Sequence, residues 1–326
     1  MATLKRVIKT FVPAPLFVIL KQNYRKFLVI REAAIDASRH IKYGAAEDDL
    51  FTASGSSRHL ECQLTKDYHR IEKGLALSQP KHPFGEGVKS RIELGLRRPL
   101  AHKELPEVVG HAESALEALE GWNTREEIPQ TVSPTVRSRS VWEPILDADA
   151  QAVLEHFFST RRSVRAFDTS KEVDFAAVGQ AATMALTTPS VCNRQAWRLH
   201  VFTQNEDVSR VIRHQNGNAG FGGAVPALAV VTVDTRLFAG AAERHQRWID
   251  GGLFAMNFAH GLHAQGLATC MLNWSMKNEA SNRLRESAGI AAHEDIVMLI
   301  AIGHTENEFR VARSPRRSLG DVLEMH

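Results

Sequence analysis

The residue types that could do chemistry gather first at 157–168, FFSTRRSVRAFD. Arg161, Arg162 and Arg165 surround Ser163, with Phe157 and Phe158 before them and Phe167 after. Guanidinium groups present forked donors that match phosphate oxygens, and a serine hydroxyl can donate to the same anion. A basic turn facing water needs no aromatic frame. The pattern therefore reads as a pocket wall around an anion, with a solvated turn as the plain alternative.

A second stretch, TTPSVCNRQAWRLHVFT at 187–203, sets a Pro189–Ser190 turn before Asn193 and Gln195, then opens a strand at Trp197. Amide side chains both donate and accept, which suits the mixed edge of a pyrimidine-like ring. The alternative is a capped turn that feeds a strand. The tail, VARSPRRSLGDVL at 311–323, carries a further basic cluster in Arg313, Arg316 and Arg317. Two such clusters could meet on one phosphate. Other chemistries find less support. There is no Gly-x-Ser-x-Gly elbow for a hydrolase. GNAGFGG at 217–223 precedes a strand, the wrong context for a dinucleotide fingerprint. His69 and Glu72 share a helix face, but no second such pair accompanies them, so no metal site is expected.

These residues need a scaffold, and the later part of the chain supplies its grammar. Helical segments near 147–160, 174–186, 246–266 and 278–289 alternate with strand-like runs at 197–203, 226–234, 268–274 and 295–303. That alternation predicts a mixed α and β domain over 149–326, its sheet buried on both faces. Within it, IDGGLFAMNFAH places Gly251, Gly252, Ala255 and Ala259 on one small helical surface, suited to close approach by a second subunit or by the domain's own core. Residues 1–122 read as helices and connections, with Gly121 expected to end one of them. Residues 123–148, with three prolines and little periodicity, read as a linker or arm.

Bulk composition narrows the classes. The 326 residues are 44% hydrophobic and 24% charged, a globular composition. A net charge of +3 is too mild for a nucleic-acid binder. Three scattered cysteines, Cys62, Cys192 and Cys270, give no disulfide framework, so a cytoplasmic location is expected. The apolar run Phe11–Leu20 is half of a bilayer crossing and two prolines interrupt it. With its basic flanks it suits either an amphipathic helix packed on the protein, the favoured reading, or a peripheral contact with an anionic membrane surface.

In order and spacing, RRSVRAFD, PSVCNRQAW and RRSLGDVL resemble the three signature stretches of the nitroreductase family of FMN-dependent oxidoreductases, over about 150–326. Ala196 stands where that family usually has proline, and the closing stretch lacks a frequent lysine, leaving open which of its arginines meets the phosphate. The resemblance implies an α+β fold, a mainly antiparallel sheet flanked by helices, behind a mostly helical N-terminal region. It implies that Arg161, Arg162, Ser163 and Arg165 reach the phosphate, ribityl chain and pyrimidine edge of FMN. It also implies a homodimer in which Pro189, Ser190, Asn193 and Gln195 approach from the second subunit. Asn218 would lie near the ring, and Met271, Leu272 and Asn273 near its N5 edge. NADH or NADPH would be the electron donor and a small organic molecule the acceptor, with no protein residue needed as general acid or base. The competing reading is a flavin-binding sensor or scaffold that recruits partners through its helical N-terminal region.

Overall fold

The computed structural model describes residues 13–48, 56–125 and 148–326. The first helix, α1 (Ala14–Tyr43), begins with Pro13 at its cap and a proline in its first turn. A missing N–H costs nothing there, so the prolines start the helix and do not interrupt it. Only its second half docks. Arg39 binds Asp295, and Asn278 donates to Glu32 and Asp36. In the first half Leu16, Val18, Ile19, Leu20, Tyr24, Phe27, Val29 and Ile30 are all exposed. The expected packing against the protein thus holds for one half of α1 and fails for the other. Phe11 and Val12 lie outside the described residues.

Four helices follow: α2 (Ser57–Leu75), α3 (Glu86–Leu96), α4 (Pro99–Glu104) and α5 (Pro106–Arg125). They bury Leu60, Leu64, Ile71, Ile92 and Leu119 in a core of their own. Gly121 is buried inside α5, which runs on to Arg125, so it is not the terminator expected of it. Packing of the helix outweighs the modest cost of one interior glycine. Most of the expected linker, 126–147, lies outside the described residues.

The remainder contains α6 (Ala148–Thr160), α7 (Phe175–Ala185), β1 (Trp197–Phe202), α8 (Asn205–Ile212), β2 (Ala227–Asp234), α9 (Gln246–Ala264), β3 (Ala268–Asn273), α10 (Asn278–Ala288) and β4 (Glu294–Gly303). The strands form one antiparallel sheet in the order β1-β2-β4-β3. Strand β2 is buried along its whole length. Its alternate residues feed opposite faces: Ala227, Ala229, Val231 and Val233 join Phe254 and Phe258 of α9 on one side. Leu228 and Val230 join Val208 of α8 and Leu284 of α10 on the other. A register shift after Val231 lets Val297 and Met298 of β4 both turn to the α9 side. A bulge inserts one residue and resets the alternation.

Small residues set the closeness of the layers. A Cβ on Gly251 would stand 2.6 Å from Val297 of the sheet, and one on Gly261 would stand 2.6 Å from the carbonyl oxygen of Ala181 in α7. Gly251, Ala255 and Ala259 therefore face the domain's own core. The side of α9 left exposed is the bulky one, with Ile249 and Leu253. Among the described residues no helix is long and apolar enough to cross a membrane.

Candidate functional site

Helix α6 delivers the arginine stretch through its aromatic end. Phe157 packs on His263 of α9 with ring centroids 5.0 Å apart, Phe158 meets His260 at 5.1 Å, and Thr160 Oγ1 lies 3.1 Å from His263 Nε2. The chain then extends along the sheet's edge strand. The Val164 N–H donates to the Thr269 carbonyl of β3 at 2.9 Å, and Ser163 pairs with Thr269. Three residues on, Phe167 is buried beside Phe221 and pairs with Thr305, just past β4. The aromatic frame is thus the clamp that fixes both ends of the stretch. Between the clamps Arg161, Arg162 and Ser163 are half-buried and Arg165 is exposed.

The C-terminal tail returns to the same place. Phe309 and Val311 help line a cavity of about 450 Å³ with Arg161, Arg162, His263 and Thr269. Burial holds the Arg161 guanidinium below its ordinary pKa, and the charges of Arg162 and then Arg316 add to the effect. Two basic clusters about 150 residues apart in sequence are therefore within electrostatic reach of each other. Arg316 is the member of the tail cluster whose charge acts on Arg161; Arg313, Arg316 and Arg317 are all exposed. Among the described residues no hydrogen bond or ion pair engages the Arg161 guanidinium, and Arg162 donates only to the Arg161 carbonyl, at 3.0 Å. Half-buried like charges without a counter-ion among the described residues are suited to receive an anion. Arg165 points elsewhere, 6.0 Å over the Phe221 ring, in a neighbouring cavity that shares Phe309.

The 188–196 turn is built from strained backbone. Cys192, Asn193 and Gln195 all have positive φ, at 48°, 53° and 48°. Non-glycine residues hold that conformation only where the surroundings impose it. Here the Ser190 hydroxyl accepts the Gln195 N–H at 3.0 Å, and Asp250 of α9 accepts the Val191 N–H at 3.2 Å. Arg194 is buried and donates to Glu243 at 2.6 Å, to Cys62 Sγ of α2 at 3.3 Å and to the Val191 carbonyl at 3.2 Å. The turn leaves Pro189 and Gln195 exposed and Ser190 and Asn193 half-buried, while Ala196 sits in the core.

Sequence reasoning missed these supports. Cys62, Arg194, Glu243 and Asp250 are far apart in the chain and carry no motif. Only burial reveals that α2 of the N-terminal region touches the turn.

Asn218 closes a turn of its own. Its amide donates to the carbonyls of Ile212 at 2.6 Å and Gln215 at 3.0 Å. Gln215 in turn donates to the Asn273 carbonyl at 3.0 Å, fixing the end of β3. Leu272 points into the core, Met271 is half-buried and Asn273 is exposed.

The two stretches meet α9 at different levels. The turn is tied to Asp250 through Val191 and to Asn257 through Thr188, and the arginine stretch to His263 near the end of the helix. At about 1.5 Å per helical residue the turn's anchors stand roughly 20 and 9 Å along α9 from that of the arginines.

The Nitroreductase family model matches this chain over residues 158–214 and 204–304. Residues 158–304 are a nitroreductase-family domain. Membership at that level supports an oxidoreductase. Among solved structures, an FMN-dependent nitroreductase from Clostridium difficile is 20% identical, with 48% of this chain and 91% of that one covered at a TM-score of 0.42. A nitroreductase family protein from Streptococcus pneumoniae is 18% identical, covers 53% and 100%, and has a TM-score of 0.46. A nitroreductase-like protein from Bacillus cereus is 17% identical, covers 53% and 95%, and has a TM-score of 0.45. No curated protein matches the chain at a significant level.

Proposed function

We propose that the nitroreductase domain holds FMN and passes electrons from NADH or NADPH to a small organic acceptor such as a nitroaromatic or a quinone. The observation that carries this reading is the Arg161 guanidinium, half-buried beside Arg162 and within the field of Arg316, with no acceptor among the described residues. A phosphate fits that need, and the adjoining cavities lined by Val164, Phe221 and Phe309 offer apolar walls for a ring system. When bound, FMN supplies the hydride and electron chemistry. The chain's residues bind and orient. Arg161 and Arg316 would take the phosphate, Ser163 and the Thr269 edge the ribityl chain, and Arg162 or Arg165 the electron-rich pyrimidine edge. Positive charge there favours the reduced cofactor.

The polar side chains of the 188–195 turn fit a site completed by a second copy. The turn and the arginine stretch are anchored at different levels of α9, and the exposed Ile249 and Leu253 of that helix offer an apolar face for pairing. The reading places the protein in the cytoplasm. The first half of α1 is suited to a peripheral membrane contact: from Ala14 to Arg31 it carries Lys21, Arg25, Lys26 and Arg31 among exposed apolar residues and no acidic one.

The test is anaerobic addition of NADH or NADPH to the flavin-loaded protein. Loss of the oxidised-flavin band near ~450 nm is expected. A band that survives both nucleotides would favour a flavin-binding sensor or scaffold over an oxidoreductase.

A further inference from the structure

An apolar-walled cavity stands apart from the arginine stretch. It measures about 580 Å³ and opens at the seam between α1 and the segment that enters α9. Ala33, Ala37 and Ile41 of α1 form one wall at helical spacing, and Trp248 stands opposite. Arg244 and Arg247 line the same space. A cavity of this size with a few placed charges is the usual form of a small-molecule site.

The charges beneath it are unbalanced. Asp295 is shared by three guanidiniums: Arg39 Nη2 at 2.6 Å, Arg285 Nη2 at 3.1 Å and Arg247 Nε at 2.9 Å. The Arg247 contact is an ion contact without hydrogen-bond alignment, although Arg247 is only 3% exposed. Its Nη1 lies 3.2 Å from His40 Nδ1, and its Nη2 has no acceptor among the described residues. Among the described residues Arg244 donates only to the Ala241 carbonyl, at 3.1 Å. Asp36 also lines the cavity and its charge acts on Arg247, but neither it nor Glu47 forms a salt bridge with Arg244 or Arg247. Buried cations are ordinarily paired, and Arg247, which lines the cavity, is only partly paired among the described residues.

We propose that this seam binds a small organic anion with an apolar body. Its carboxylate or phosphate head meets Arg244 and Arg247, and its body lies along Ala33, Ala37 and Trp248. The site is independent of the flavin reading. Arg247 and His263 are sixteen residues apart on α9, about 24 Å, so the cavity lies at the far end of the helix from Arg161. It adjoins Glu243, which holds Arg194 and through it the strained turn.

The probe is 2-naphthoate, titrated calorimetrically into the full chain, with 2-naphthalenemethanol as its uncharged counterpart. One naphthoate per chain is expected, and the alcohol should bind at least about tenfold more weakly, as fits a charge-assisted contact. Arg244 and Ala37 are exposed, so their variants keep the fold, which circular dichroism verifies. Arg244→Glu should weaken naphthoate about tenfold or more and leave the alcohol unchanged. Ala37→Trp, which fills the cavity, should abolish both. Equal binding of acid and alcohol, or naphthoate affinity untouched by Ala37→Trp, would overturn the proposal. So would release of bound flavin at naphthoate saturation, since the cavity would then be part of the cofactor site. Loss of NAD(P)H bleaching with intact naphthoate binding would instead count against the flavin reading alone.

Discussion

Arg161 concentrates the energetics of the cofactor proposal in one side chain. Without a bound anion its charge is opposed by burial, by Arg162 and by Arg316. Removing it should therefore relieve repulsion in the free protein while removing a contact in the bound one. Arg161→Ala is expected to leave thermal stability unchanged or slightly raised, yet weaken FMN by about 1.5–3 kcal/mol, roughly 10- to 150-fold. Fluorescence titration with FMN and a melting curve measure the two effects separately. A variant that melts much lower, with FMN affinity intact, would make Arg161 structural. The type and spacing of this residue were legible in the sequence, because FFSTRRSVRAF carries both the charges and their aromatic clamp. Its lack of an acceptor was not legible, because that depends on which side chains arrive from other parts of the chain.

At the scale of elements, the sheet and its helices follow from local pattern. All four strands form where β-branched and apolar runs were read, to within one or two residues. Helix α8 escaped notice. Its apolar residues Val208, Val211 and Ile212 do stand at helical spacing, but eight residues are short enough to pass for a connection between two strands. Glycines separate the two kinds of information further. Gly261→Ala would drive a methyl group against the α7 backbone and should cost about 1–3 kcal/mol. Gly110, inside α5 with open space around it, should gain about 0.5–1 kcal/mol on the same change. Denaturant midpoints of the two variants should move in opposite directions. A common direction would mean the α7–α9 approach is looser than described.

For the whole molecule, the central prediction concerns pairing. Ile249→Asp with Leu253→Asp places two charges on the exposed face of α9. The double variant should be monomeric in light scattering and should lose most of its flavin, because in the proposed site the turn carrying Ser190 and Asn193 comes from the second copy. A monomer that keeps its flavin would show the site to be complete in one copy. The N-terminal region enters at this scale too. Through Cys62 it touches the Arg194 guanidinium that stiffens the turn, so the helical region helps support that turn.

The sequence by itself determined the strands, the principal helices of the C-terminal half, and the chemical character of the arginine stretch. Each depends on neighbours within a few residues, through periodicity, turn chemistry and side-chain type. Tertiary structure alone decided that the charge of Arg316 acts on Arg161 and that Gly251, Ala255 and Ala259 of α9 turn inward. It alone supports the strained turn by Arg194, Glu243, Asp250 and Cys62, and leaves half of α1 uncovered. Those outcomes depend on contacts between residues tens to hundreds of positions apart, where burial and charge, and not spacing, select the partner.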